Sequence, residues 1–104
     1  MSALAVLATA ANLKTAHALA AGLVRQHLAA CVNVLPGVTS HYRWKGKIEK
    51  DCEVLLIIKT TRARFKAAAS FIRKNHPAEI CEIIALPISA GSAPYLSWLR
   101  QSVR

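Results

Sequence analysis

The chain has 104 residues, of which 54% are hydrophobic, with three cysteines and a formal net charge of +9. That length holds one domain, 1–104, around one core, and the apolar content excludes general disorder. No run of about 18 apolar residues occurs, so no membrane-spanning helix is expected.

Residues 2–9 include a short apolar stretch, Ala3 to Ala8, but lack the charged start and small-residue cleavage pattern of a secretory signal. They read as a first strand, and the protein as cytoplasmic. Asn12 can cap a helix in which Leu13, Ala16, Leu19, Ala20, Leu23 and Leu28 recur at helical spacing. A second strand region covers residues 30–44, and Pro36-Gly37 is expected to bend it. Gly46 supplies the left-handed residue of a hairpin. A three-residue loop, Trp44-Lys45-Gly46, would place Tyr42 opposite Ile48, Val38 opposite Cys52 and His41 opposite Glu49, keeping apolar with apolar.

Beyond the turn, Lys47, Glu49, Asp51 and Glu53 alternate with Ile48, Cys52 and Val54. From Val54 to Ile58 the run is continuously apolar, which predicts cover on both faces there and a projecting, one-sided distal half. Thr60 or Thr61 is the expected start of a second helix with Phe65, Ala68, Ala69 and Ile72 inward, ended by Pro77. Residues 79–88 form the last strand, and Pro94 opens a short terminal helix. The order is β-α-β-β-α-β with a helical tail, the α+β ferredoxin-like arrangement.

Cys31, Cys52 and Cys81 are odd in number and without a C-x-x-C pair, which fits reduced structural thiols. The nearest basic cluster, Lys59, Arg62, Arg64 and Lys66, would suit a phosphate or carboxylate, although a solvated helix face is the plainer reading. No catalytic signature is present, so a non-enzymatic role is expected. The central strand is aliphatic and offers no stacking platform, so nucleic acid is not an expected partner. Tyr42, Trp44, Tyr95 and Trp98 have the character of subunit-interface anchors.

The stretch ACVNVLPGVTSHYRWKGKIEKDCEVLLIIKT, residues 30–60, resembles the central block of the CutA divalent-cation tolerance family. NHPAEICEIIALPI at 75–88, YLSWLRQ at 95–101 and VLATAANLKTA before the first helix extend the resemblance over nearly the whole chain. It implies a ferredoxin-like protomer with a long hairpin, assembled into a cytoplasmic homotrimer. It also implies a role in divalent-cation tolerance, chiefly to copper, with no obligatory cofactor.

The resemblance to trimeric PII signalling proteins in shape implies a second reading, a small anionic effector in clefts between subunits. Family members with a proposed copper site use a late first-strand cysteine and a histidine pair before the proline. Here those positions hold Ala8 and Asn75-His76, so His76 is the one metal candidate, with Cys81 five residues on. Ala78 stands where the family usually has tyrosine. Glu53, Lys59, His76, Glu79 and Trp98 are the candidates for an inter-subunit pocket. Tyr42, Trp44, Tyr95 and Trp98 are those for the trimer interface.

Overall fold

The computed structural model describes residues 2–104. Strand β1 (Ala3–Ala10), helix α1 (Leu13–Arg25), strands β2 (Cys31–Trp44) and β3 (Lys47–Thr61), helix α2 (Phe65–Asn75), strand β4 (Ile83–Pro87) and helix α3 (Ala93–Ser102) follow in that order. The strands form one antiparallel sheet in the order β2-β3-β1-β4. This is the expected α+β, ferredoxin-like layout.

Alternation along the central strands builds the core. Leu4, Val6, Ala8 and Ala10 of β1 and Val54, Leu56 and Ile58 of β3 turn to one face. There they meet Ala16, Leu19 and Leu23 of α1 and Ala68 and Ile72 of α2. Each fully buried leucine or isoleucine contributes roughly 1.5–3 kcal/mol. Gly22 of α1 lies against Phe71 of α2, where a Cβ would overlap the ring.

Helix α1 stops short of the expected pattern. Its N-cap is Asn12, whose Oδ1 accepts from the Thr15 N–H at 2.8 Å. At the other end His27 takes φ 58, its N–H bonds Val24 O, and the Leu28 N–H bonds Leu23 O. That pair of bonds is a Schellman closure, with histidine in the left-handed position usually given to glycine. Leu28 is therefore buried beyond the helix rather than on its face.

The hairpin departs from the expected register. Its loop is the two residues Lys45 and Gly46, both at positive φ, so Trp44 pairs with Lys47 and Tyr42 with Glu49. His41 then faces Lys50, Val38 faces Glu53 and Cys52 faces Thr39. Two left-handed residues match the strand twist. Apolar matching exerts little pull here because the distal hairpin is open to water, with Ile48 67% exposed. Pro36-Gly37 does bend β2, as a register shift between Leu35 and Val38.

Three further boundaries differ. Strand β3 continues through Thr60 and Thr61, and a 3-10 turn, Arg62–Arg64, precedes α2. Thr60 is held in the strand by pairing with Leu4 and by its hydroxyl, which donates to Leu28 O at 2.7 Å. Strand β4 is only five residues long, and residues 79–82 lie before it as irregular chain. The middle of β3 is covered on one face rather than two. Val54, Leu56 and Ile58 are buried, while Leu55 and Ile57 are half-buried on the face away from α1 and α2. Helix α3 covers only one end of that second face, where Leu99 and Val103 pack on Ala3 and Ala30.

Candidate functional site

The distal end of β2 from Ser40 to Trp44, Glu53 of β3, Thr9 near the end of β1 and the irregular 78–82 segment line a cleft of about 710 Å³. Its lining includes Thr9, His41, Tyr42, Trp44 and Cys81, and three of the five acidic residues of the chain, Glu53, Glu79 and Glu82. At its rim the Lys45 ammonium lies 5.5 Å from the Trp44 ring centroid and 3.9 Å from Glu79 Oε2. Both partners of that ion pair are mostly exposed, so it contributes at most about 1 kcal/mol. Arg43 also lines the cleft, yet its carboxylates outnumber its cationic lining.

The two-residue hairpin loop sets the acidic side of this cleft. It puts Glu49, Asp51 and Glu53 on the same face as Tyr42. Asp51, diagonal to Tyr42 across the strands, accepts a hydrogen bond from its hydroxyl. That bond first, then desolvation and the negative charge of Asp51, Glu49 and Glu53, pushes the Tyr42 phenol up to about 12.

His76 lies outside the cleft lining and acts as a backbone clamp on two residues that belong to it, Thr9 and Ala78. Its Nδ1 accepts from the Ala78 N–H at 3.1 Å, and its Nε2 lies 2.7 Å from Thr9 O. A carbonyl can only accept, so the ring is the neutral tautomer protonated at Nε2. Both nitrogens are occupied, and the imidazole ties the end of β1 to the segment that follows α2. A metal ion at this ring would have to displace one of those bonds. No group of three or more histidine, cysteine, aspartate or glutamate side chains is arranged to hold a metal ion among the described residues.

The sequence-derived pocket candidates fall into two groups. Glu53 and Glu79 line the cleft, and His76 joins them through Thr9. Lys59 lies six residues along β3 from Glu53, about 20 Å away at strand spacing. There it pairs with Cys31 and donates to Asn33 Oδ1. Trp98 belongs to this second end, its ring 5.4 Å from that of Tyr95. Burial raises the pKa of the Tyr95 phenol, and its contact with Cys31 adds to the effect. Of the aromatic anchors, Tyr42, Tyr95 and Trp98 are exposed and Trp44 is half-buried. Sequence reasoning missed Glu82, Cys81 and His41 as cleft residues, because their convergence depends on residues 79–82 being looped rather than in a strand.

The description "CutA1 divalent ion tolerance protein" matches residues 4–102. The divalent-cation tolerance protein CutA of Thermus thermophilus is 44% identical, over 93% of this chain and 94% of its own length. Protein CutA of Homo sapiens is 50% identical over 93% of this chain, which spans 54% of the human protein. The chain thus spans between about half and two thirds of the vertebrate relatives it matches, the Xenopus laevis homologue being covered over 63% of its length. Among solved structures, the Thermus thermophilus divalent cation tolerance protein superposes with a TM-score of 0.96 at 42% identity, covering 98% of this chain and 99% of that one. CutA from Xylella fastidiosa gives 0.96 at 36% identity, with both chains fully covered. On its fold and on these likenesses, the chain belongs to the CutA1 divalent ion tolerance family.

Proposed function

We propose that this protein serves divalent-cation tolerance as a non-enzymatic cytoplasmic homotrimer, and that the Glu53–Glu79–Glu82 cleft is its cation-facing site. One observation carries this reading: three of the five carboxylates in a chain of net charge +9 line a single cleft. Such a cluster draws cations by its local field against the overall charge of the chain. Because no three ligating side chains converge among the described residues, the ion keeps much of its hydration and exchanges readily. Binding is weak in consequence. His41 and Cys81 supply the borderline and soft donors that would favour copper over magnesium among divalent ions.

Assembly follows from the uncovered sheet face. Leu7, Leu35, Leu55, Ile57, Ile84 and Leu86 share it, with Ile84 51% and Leu86 48% exposed. Among the described residues α3 covers only one end of that face, and apolar area of this kind marks a protein interface. Tyr42, Trp44, Tyr95 and Trp98 then anchor neighbouring subunits. The anionic-effector reading is weaker, since Lys59 stands well away from a cleft rich in carboxylates.

Calorimetric titration with copper and with magnesium tests the site. The triple variant Glu53→Gln, Glu79→Gln, Glu82→Gln is expected to lose at least tenfold in copper affinity, about 1.4 kcal/mol. An unchanged affinity would move the site elsewhere.

A further inference from the structure

We infer that the outer face of the α1–α2 layer is a docking surface for the phosphodiester backbone of duplex nucleic acid. All five carboxylates of the chain fall in the distal hairpin (Glu49, Asp51, Glu53) or the segment before β4 (Glu79, Glu82). The three helices carry none. Lys14 and Arg25 on α1, Lys66, Arg73 and Lys74 on α2, and Arg62 just before α2 are all exposed. The single salt bridge among the described residues, Lys45–Glu79, lies at the hairpin tip, so none of these six is paired.

Stability alone does not account for this pattern. Arg25, Arg73 and Lys74 sit in last turns, where a cation suits the helix dipole. Lys14 and Lys66 sit in first turns, where a cation opposes it, and no helix has an acidic residue in its first turn. The layer is therefore cationic at both ends of both helices, at a small expense to the fold. Lys14 and Arg25 are eleven residues apart on α1, about 16 Å at helical rise, which spans roughly five base-pair steps.

The chemistry of the face favours a nucleic acid over a lipid surface. Leu19, Leu23 and Ile72 of α1 and α2 are spent on the sheet, and of the large apolar side chains of these helices only Leu13 and Val24, at opposite ends of α1, are exposed. Exposed Ala18, Ala21 and Ala63 stand among the cations, small enough for a phosphate backbone to come close, and no aromatic residue is exposed on either helix. A membrane-surface helix instead offers a continuous apolar face that includes aromatic side chains, which two separated residues at the ends of α1 do not make. With no groove-reading or stacking element on this face, recognition is of charge and spacing, independent of sequence. The surface lies on the opposite side of the sheet from the apolar face assigned above to assembly, so a trimer keeps three copies of it open.

Fluorescence anisotropy of the full chain with a labelled duplex DNA, and with a duplex RNA of the same sequence, tests this across a monovalent salt series. Binding to both duplexes is expected, with a log–log salt slope of about −4 to −5 on DNA if five or so phosphates are neutralised. The triple variant Lys14→Gln, Lys66→Gln, Arg73→Gln should flatten that slope by about 2.7 and weaken binding more than tenfold at low salt. The hairpin pair Lys47→Gln, Lys50→Gln is the comparison and should leave the slope within about one contact of wild type. Circular dichroism confirms that each variant is folded. The inference is overturned by absence of duplex binding at micromolar protein in low salt. Equal losses in the two variants, salt-resistant sequence-selective binding, or capture by phosphatidylserine vesicles in place of the duplexes would overturn it equally.

Discussion

Replacing His76 with alanine separates a structural imidazole from a metal ligand. The wild-type ring accepts from the Ala78 N–H and holds Thr9 O, so the substitution removes two hydrogen bonds between β1 and the segment after α2. At about 1 kcal/mol net for each, the loss is about 2 kcal/mol. For a domain near 100 residues that corresponds to a fall in Tm of roughly 8–16 °C. The measurement is thermal and urea unfolding of both proteins in excess chelator at one protein concentration, since assembly would couple stability to concentration. The loss is expected with every divalent ion removed. Equal stability of the two metal-free proteins, with a difference appearing only when copper is added, would refute the clamp and make His76 a ligand.

Gly22→Ala should destabilise the protein by about 1–3 kcal/mol in urea unfolding despite the better helix propensity of alanine, because its methyl meets the Phe71 ring. Adding Phe71→Leu to that variant should recover part of the loss. His27→Gly should raise Tm by a few degrees, relieving a left-handed residue that costs about 1–2 kcal/mol. A fall would show instead that the ring contacts to Ser102 O and Arg104 govern that corner. In an absorbance titration of the two tyrosines, Tyr42 should ionise near 12, and Asp51→Asn should bring it back toward its ordinary value of 10.0. Ile84→Lys, at an exposed position, should leave the fold intact and convert a trimer to smaller species by light scattering; an unchanged mass would remove that face from the interface.

The fold was legible because its determinants are local and periodic. Helical spacing in α1 and α2, alternation into the core and the Pro36-Gly37 bend all needed only short windows of sequence. The hairpin register was not, because it was inferred from apolar matching across strands whose distal halves are solvated in the single chain. Turn geometry at Lys45-Gly46 decided it instead, and a lysine in the left-handed region carries little signal. Residues 79–82 read as strand because Ile80 and Cys81 lead toward the apolar run that starts at Ile83, yet Ile80 is 74% exposed. The cleft was only half legible for the same reason. Glu53 and Glu79 could be named, but Glu82, Cys81 and His41 join them only once that segment leaves the sheet and the register turns. His76 was visible as a residue of interest, while its two backbone partners, one of them Thr9, required the packed structure.

The most direct test of the cation-facing cleft is an anomalous difference map from crystals soaked in copper. A peak inside the cleft that Glu53, Glu79 and Glu82 line, its ion still largely hydrated, with the His76 ring still bonded to Thr9 and Ala78, is the predicted result. A peak on His76 with the ring turned away from Thr9, and an empty cleft, would contradict it.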